Sequence, residues 1–172
     1  MTIRVGVLTI SDWGAQGRRE DVSGATIKEM VTERLGGEVT EYEIVPDEQE
    51  VIETMLVEWA DVSGVDLILT TGGTGFSPRD VTPEATKAVI ERQAPGLTEA
   101  MRSQGLKSTP HAMLSRAVAG IRGKTLIVNL PGSPKAVRES LEVILPALPH
   151  AIEILRGEPS APGGANHHEY QA

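Results

Sequence analysis

The sequence predicts an α/β protein, built as a layer sandwich around a parallel or mostly parallel sheet. Short runs rich in β-branched residues alternate with segments whose apolar residues recur at helical spacing. The core must consist of Leu, Ile, Val and Ala, because only five of the 172 residues are aromatic. A chain of this length buries roughly 70% of its unfolded surface, so it can fold without metals or disulfides.

Apolar runs and glycines set the element boundaries in the first half. Ser23 is a candidate N-cap for a helix that ends at Gly36 and Gly37. In order, we expect a strand at 3–10, a polar loop at 11–21, a helix at 23–35, a strand at 38–45, a helix at 51–59 and a strand at 66–71.

In the second half, Thr82 is the expected cap of a helix, with Pro83 at its first position, where a missing N–H costs nothing. Further helices are expected at 95–105, 134–145 and 149–155, and strands at 116–121 and 124–130 around a tight turn at 122–123. We expect one domain over residues 1–156. The tail 157–172 is rich in Pro, Gly and polar residues, so we expect it to fray.

The charge pattern argues against a nucleic-acid-binding protein. The net charge is −8 and the pI is near 5.0, whereas duplex-binding proteins usually carry a basic stripe. The scarcity of aromatic residues argues against a base-stacking platform. Residues 35–78 hold ten acidic and no basic side chains. They form either a solvated surface or, in part, carboxylates that face a divalent metal on a phosphorylated ligand.

Several other classes are also excluded. No apolar run approaches the ~20 residues of a membrane span, and the N-terminus has no signal-peptide cleavage region, so we expect a soluble cytoplasmic protein with no membrane partner. The chain has no Cys, which excludes a thiolate nucleophile and a cysteine zinc site. The four histidines show no metal-ligand spacing and assemble no Ser-His-Asp triad: His111, His150, His167 and His168.

The strongest functional signal is the glycine-rich loop within 70–86. Gly72, Gly73 and Gly75 permit positive φ and close approach of a ligand, so that successive N–H groups can cradle an anion. The pattern is neither a Walker A loop nor a dinucleotide-binding fingerprint. The alternative is an ordinary glycine turn.

Two aspartates stand where strands end and helices begin. Asp80 is either a helix-end charge or, since Thr82 is expected to cap, a group available for another task. Asp47 follows the strand 38–45, and with Glu50 it resembles a capping box. Both a capping role and a site role remain open for Asp47.

A third loop follows the strand 124–130. Free N–H groups, the Ser133 hydroxyl and Lys135 at a helix N-terminus are suited to bind phosphate, while the alternative is a Pro/Gly turn in which Ser133 is only an N-cap. Ser11 and Asp12 close the first strand and would reach the same edge of the sheet.

Several segments together resemble the molybdopterin-binding family of molybdenum-cofactor biosynthesis, nearest to the molybdopterin adenylyltransferases and their MoaB-type relatives. They are GVLTISD at 6–12, VPDE at 45–48, TTGGTG at 70–75 with PRDVTPEAT after it, LSRAVAG at 114–120 and NLPGSPKAVRESL at 129–141. The resemblance extends over residues 3–156. It implies a three-layer sandwich, usually trimeric, that uses ATP and magnesium to place AMP on the terminal phosphate of molybdopterin. Pyrophosphate is released, and a downstream molybdenum-insertion protein takes the product.

The resemblance also implies roles for individual residues. Asp80 matches the family's essential aspartate, Asp47 its second aspartate, and Ser133 a hydroxyl on the pterin side. We interpret both aspartates as groups that position Mg²⁺ or substrate, because adenylyl transfer needs alignment and charge neutralisation more than a protein nucleophile. The expected substrate contacts are Ser11, Asp12, Gly72, Gly73, Thr74, Gly75, Arg79, Asn129, Gly132, Ser133 and Lys135.

Two other functions remain. The first is a MoaB-like protein that binds molybdopterin with little or no transfer. The second is a relative of the nucleotide-pyrophosphatase domains that share this fold, since fold alone does not fix function. The presence of Asp47 beside Asp80 favours the adenylyltransferase.

Overall fold

The structure, a computed structural model, describes residues 2–158. Within that range six strands form one sheet in the order β2-β1-β3-β6-β5-β4. They are β1 (Arg4–Ile10), β2 (Glu38–Val45), β3 (Leu67–Thr71), β4 (Arg92–Gln93), β5 (Ala119–Arg122) and β6 (Thr125–Leu130). Strands β2, β1, β3 and β6 are parallel, while β5 runs antiparallel to β6 and β4 antiparallel to β5. The prediction of a mostly parallel sheet is confirmed.

Helices connect the strands. They are α1 (Asp12–Ala15), α2 (Val22–Met30), α3 (Gln49–Glu58), α4 (Thr82–Val89), α5 (Pro95–Gly105), α6 (Pro134–Ile144) and α7 (Leu148–Arg156). A π-helical turn extends α2 and another extends α3, at Val31–Leu35 and Trp59–Ser63. None of the helices between residues 2 and 158 is long and apolar enough to cross a membrane.

The core lies in two layers, one on each face of the sheet. Val5 and Val7 point to the face covered by α2, α5, α6 and α7. Leu8 and Ile10 point to the opposite face, covered by α3 and α4. Because side chains of a strand alternate between faces, continuous apolar runs such as that of β1 serve both layers. The predicted three-layer sandwich is confirmed.

Two predicted helix caps are wrong. Asp21, not Ser23, caps α2, accepting the Gly24 N–H at 2.9 Å. Ser23 instead lies in the first turn and donates its hydroxyl to Gly132 O at 2.6 Å. Thr82 does not cap α4, because its hydroxyl donates to Gly72 O at 2.9 Å and Val81 holds the N-cap position without a side-chain bond. The Ser23 hydroxyl therefore links the start of α2 to the loop after β6, and the Thr82 hydroxyl links the start of α4 to the glycine-rich loop that precedes it.

Other boundaries also differ from the predictions. The strand expected at 116–121 begins only at Ala119, and the loop expected at 11–21 contains the one-turn helix α1. The short strand β4 was not predicted. Gly157 ends α7 with φ +73°. The remainder of the predicted tail, with His167 and His168, lies outside the described residues.

Candidate functional site

The site lies at the edge of the sheet where the parallel strands end. Two neighbouring cavities open there. The α5 cavity, of about 480 Å³, is bordered by residues of α5 and α6, and the α2 cavity, of about 620 Å³, by the end of β1 and the start of α2. The two cavities share a wall of four residues: Gly73, Asp80, Gly132 and Ser133. All four are residues that the sequence predicted for the site.

The glycine-rich loop forms part of that wall and requires glycine. Gly72 and Gly73 have φ of +96° and +69°, in the region that L side chains rarely adopt. A Cβ on Gly72 would collide with Ile10 O, and one on Gly73 would collide with Thr82 Oγ1. The same Gly73 Cβ position is 3.1 Å from Asp47 Oδ1. The loop thus passes directly against the carboxylate of Asp47.

Asp47 is held by Asp12 across the neighbouring strand end. The Asp12 N–H donates to Asp47 Oδ2 at 2.9 Å, and the Asp47 N–H donates to Asp12 Oδ1 at 3.0 Å. Glu48, not Asp47, occupies the N-cap of α3, and no side chain bonds there. The capping-box interpretation of Asp47 is wrong.

Arg79 forms a bidentate ion pair with Asp12, the residue that holds Asp47. Its Nε donates to Asp12 Oδ2 at 3.0 Å and its Nη2 to Oδ1 at 2.8 Å. The guanidinium is more than half exposed, with 58% of its side chain accessible. Arg79 was predicted to contact phosphate; here it is paired with a carboxylate at the rim of the site.

The charges of the site act unequally on Asp47 and Asp12. Burial is the main cause that raises the pKa of Asp47, and the negative charges of Asp12 and Asp80 add to it. The Asp12 N–H and the Arg79 charge oppose that rise. The hydrogen bonds from Arg79 lower the pKa of Asp12. The surroundings therefore destabilise the ionised form of Asp47, and an added cation would stabilise it.

Asp80 lines both cavities from the end of the glycine-rich loop. Its Oδ2 accepts the Ser77 N–H at 3.0 Å, and its own N–H donates to Ser77 O at 2.9 Å. A Cβ on Gly75 would lie 3.0 Å from Asp80 Oδ2. Among residues 2–158 no donor bonds to Asp80 Oδ1 or to Asp47 Oδ1. Each aspartate thus keeps one oxygen for a ligand.

The loop after β6 supplies the opposite side. Ser133 is the N-cap of α6, as predicted, and its Oγ accepts the Ala136 N–H at 3.3 Å. Lys135 is 83% exposed, lies 4.0 Å from Glu139 and lines neither cavity. It is therefore not placed at the site in this structure.

Asn129 is a further predicted contact that the structure places elsewhere. Its side chain is fully buried and accepts the Val118 N–H at 3.0 Å. Its amide donates to Thr70 Oγ1 at 3.0 Å and Thr86 Oγ1 at 2.9 Å. The side chain links β3, β6 and α4 beneath the glycine-rich loop and does not face a ligand. Of the other expected contacts, Ser11 and Gly72 line the α2 cavity and Thr74 and Gly75 line the α5 cavity, whereas Asp12 and Arg79 line neither.

The sequence interpretation missed Asp21. It lines the α2 cavity and accepts hydroxyl hydrogens from Thr9 at 2.6 Å and Tyr42 at 2.5 Å. Burial raises the pKa of Tyr42, and the bond to Asp21 adds to that rise. The available signal was the run Asp-Val-Ser-Gly before a helical stripe, which offers Asp21 as an N-cap as readily as Ser23.

The chain is similar to known proteins over most of its length. Residues 6–150 match the family described as "Probable molybdopterin binding domain". The chain belongs to this molybdopterin-binding family. It is 48% identical over 157 residues to the molybdopterin adenylyltransferase of Helicobacter pylori strain J99, covering 91% of this chain and 89% of the relative. To the Escherichia coli K12 protein of that name it is 41% identical, covering 91% and 87%.

A solved structure extends the similarity to the molybdopterin-binding fold itself. The molybdopterin biosynthesis enzyme MoaB from Thermus thermophilus superposes with a TM-score of 0.86 at 55% identity. The match covers 92% of this chain and 99% of that one. Apart from the first two residues of β1, the sheet lies within the matched family residues 6–150, as do the glycine-rich loop and the loop after β6.

Proposed function

We propose that the protein is a molybdopterin adenylyltransferase, which transfers AMP from ATP to the terminal phosphate of molybdopterin and releases pyrophosphate. One observation carries the proposal. Asp47 and Asp80 flank a glycine-rich loop at the junction of two cavities, and each keeps an oxygen without a donor among residues 2–158. This arrangement occurs in a chain similar over nine-tenths of its length to proteins named for that activity.

The chemistry requires two ligands to meet at one point. An oxygen of the molybdopterin phosphate attacks the α-phosphorus of ATP, forming a phosphoanhydride while the bond from that phosphorus to pyrophosphate breaks. Each cavity is within the range of roughly 300–1,000 Å³ that holds a small ligand. With one substrate in each, the reacting phosphates would lie at the shared wall of Gly73, Asp80, Gly132 and Ser133. Loop N–H groups and the N-terminus of α6 would orient them.

The residues present fit a magnesium ion that substrate helps to hold. Residues 2–158 contain no group of three or more His, Asp or Glu side chains able to enclose a metal. Mg²⁺ usually binds through one or two carboxylates together with substrate phosphates, and Asp47 and Asp80 offer that pair. When bound there, Mg²⁺ would neutralise charge on the phosphates. The raised pKa of Asp47 supports this assignment, because a half-buried carboxylate that is repelled by Asp12 and Asp80 favours a nearby cation.

We extend the proposal to assembly on the basis of the family resemblance. Copies of the chain would form a homotrimer and pass adenylylated molybdopterin to a molybdenum-insertion protein. Light scattering behind a sizing column tests the trimer, because it returns three times the 18.4 kDa chain mass if the proposal holds.

The proposed reaction is tested with the purified protein, molybdopterin, ATP and Mg²⁺. We expect adenylylated molybdopterin and pyrophosphate in equal amounts, and loss of both when EDTA replaces Mg²⁺. The family description, which names molybdopterin binding and no reaction, makes a binding role the second candidate. Saturable molybdopterin binding without pyrophosphate release would favour that role and contradict the transferase.

A further inference from the structure

Arg116 contacts the glycine-rich loop at two places, residues 74–75 and residue 80. It lies in the segment LSRAVAG, three residues before β5 begins. Its N–H donates to Thr74 O at 2.8 Å and its Nε to Gly75 O at 2.9 Å. Its Nη2 donates to Asp80 O at 2.9 Å. One side chain therefore fixes the carbonyls that begin and end the segment 75–80.

The segment 75–80, whose two ends Arg116 holds, orients the Asp80 carboxylate. Between the two fixed carbonyls, Ser77 and Asp80 close a turn through reciprocal bonds of 3.0 and 2.9 Å. The direction of the Asp80 carboxylate depends on this turn, and the turn depends on where its ends are held. Residue 116 itself lines neither cavity, so any effect on a ligand there would pass through the loop.

Glu84 holds the guanidinium in place. Arg116 Nη1 donates to Glu84 Oε1 at 3.0 Å and to Oε2 at 2.8 Å. Glu84 belongs to the first turn of α4, the helix that follows the loop. The hydrogen bonds from Arg116 lower the pKa of Glu84, so the pair is ionised at neutral pH. Arginine suits this task because its rigid fork serves several acceptors at once, which a lysine ammonium does not.

We infer that Arg116 is a positioning residue, which holds the segment 75–80 so that Asp80 faces the wall shared by the two cavities. Its consequence for turnover rests on the proposed adenylyltransferase function. Its effect on the loop does not, and can be measured in the free protein.

Arg122 is a matched control for Arg116. It also forks onto one carboxylate, that of Asp61, at 3.0 and 2.8 Å, and donates to one carbonyl, Val89 O, at 2.9 Å. The two side chains are similarly exposed, at 35% and 26%. Arg122 ends β5, the strand antiparallel to β6, and so lies at the edge of the sheet away from the site.

The first measurement is amide hydrogen exchange of the free protein. In R116Q we expect exchange within 75–80 to rise about tenfold or more, the effect of losing one charge-assisted hydrogen bond. In R122Q that segment should exchange as in the wild type. R116K keeps the charge opposite Glu84 without the fork, and we expect a value between wild type and R116Q. Wild-type exchange in both Arg116 variants would overturn the inference.

The second measurement is turnover of molybdopterin with ATP and Mg²⁺. For R116Q we expect kcat to be about tenfold lower, because the Asp80 carboxylate is no longer correctly oriented. The KM for molybdopterin should stay within about threefold of wild type, because the cavities are intact. R122Q should keep the wild-type kcat. Equal losses in R116Q and R122Q would show a general structural effect and contradict the positioning role.

The two proposals fail in different ways. If the wild type transfers no AMP but exchange at 75–80 rises in R116Q alone, the proposed function is wrong and the positioning of the loop stands. If the wild type transfers AMP and R116Q matches it in exchange and kcat, the function stands and the role of Arg116 is wrong.

Discussion

Replacing Asp47 with asparagine separates a group held for function from one held for stability. The D47N change keeps an oxygen that can accept the Asp12 N–H, now found at 2.9 Å from Asp47 Oδ2. It removes a half-buried negative charge that Asp12 and Asp80 repel. We expect turnover to fall by about 10²-fold or more, in line with the loss of one preorganised electrostatic group.

The stability change follows from two opposing effects. A hydrogen bond to a charged acceptor contributes roughly 1.5–3 kcal/mol and one to a neutral acceptor about 1 kcal/mol, so D47N loses about 1 kcal/mol there. Removing the charge removes the burial and repulsion that raise the pKa of Asp47. Since that pKa is raised despite the bond, burial and repulsion are the larger effect. We therefore expect D47N to be at least as stable as the wild type at pH 7.

The pH dependence of this difference has a definite sign. A carboxyl whose pKa is raised by folding stabilises the folded state when it is protonated. That contribution is complete below the unfolded value, near 3.8, and is lost as the pH rises through the raised folded value. The wild type should thus lose stability relative to D47N across that window, and the difference should stay constant above it.

Urea unfolding from pH 3 to pH 8 and pyrophosphate release at saturating ATP and Mg²⁺ together decide the matter. A protein with D47N that unfolds ~1 kcal/mol more easily, as after loss of an N-cap, yet turns over at the full rate would refute the reasoning.

Three further changes test other parts of the site. D80N should lower kcat by about 10²-fold. Its melting temperature should be unchanged, because the amide oxygen still accepts the Ser77 N–H, and a wild-type rate would show that Asp80 has no part in the mechanism. S133A should weaken molybdopterin binding about fivefold and lower stability by ~1 kcal/mol, whereas S133G should weaken binding equally and lower stability by only a few tenths of a kcal/mol. Calorimetry that shows normal affinity in both variants would exclude a hydroxyl contact. D66N removes the ion pair with Arg156 at the opposite edge of the sheet, so it should lower the free energy of urea unfolding by roughly 2 kcal/mol without changing kcat. A fall in turnover per folded molecule would contradict the assignment of the site to one edge.

The sequence was sufficient to predict most of the candidate site because its signals are local. The β-branched runs at 3–10, 38–45, 66–71 and 124–130 predict strands from side-chain periodicity alone. Parallel strands deliver their carboxyl ends to one edge, so the loops that follow had to meet. The structure brings Asp47, Asp80 and the glycine-rich loop together there.

Local spacing could not decide what each polar side chain does. Asp47 and Glu50 have the spacing of a capping box, and only the N–H of Asp12, 35 residues earlier, shows that Asp47 is used otherwise. Asn129 lies in a motif suited to ligand binding, yet its side-chain amide is hydrogen-bonded to Val118, Thr70 and Thr86, which lie elsewhere in the sequence.

Arg116 shows the same limit. Its position in an apparent strand gives no sign that it reaches Gly75, 41 residues away. Long-range hydrogen bonds depend on how whole elements pack, which a one-dimensional pattern does not contain.

The fate of the ATP phosphates tests the central claim most directly. Parallel reactions of the wild type and D80N would contain molybdopterin, Mg²⁺ and ATP labelled with ³²P at either the α or the γ position. We expect the α label alone to appear in the molybdopterin product of the wild type, with the γ label in pyrophosphate and little product from D80N. Transfer of the γ label to molybdopterin, or release of pyrophosphate with no labelled product, would contradict adenylyl transfer at this site.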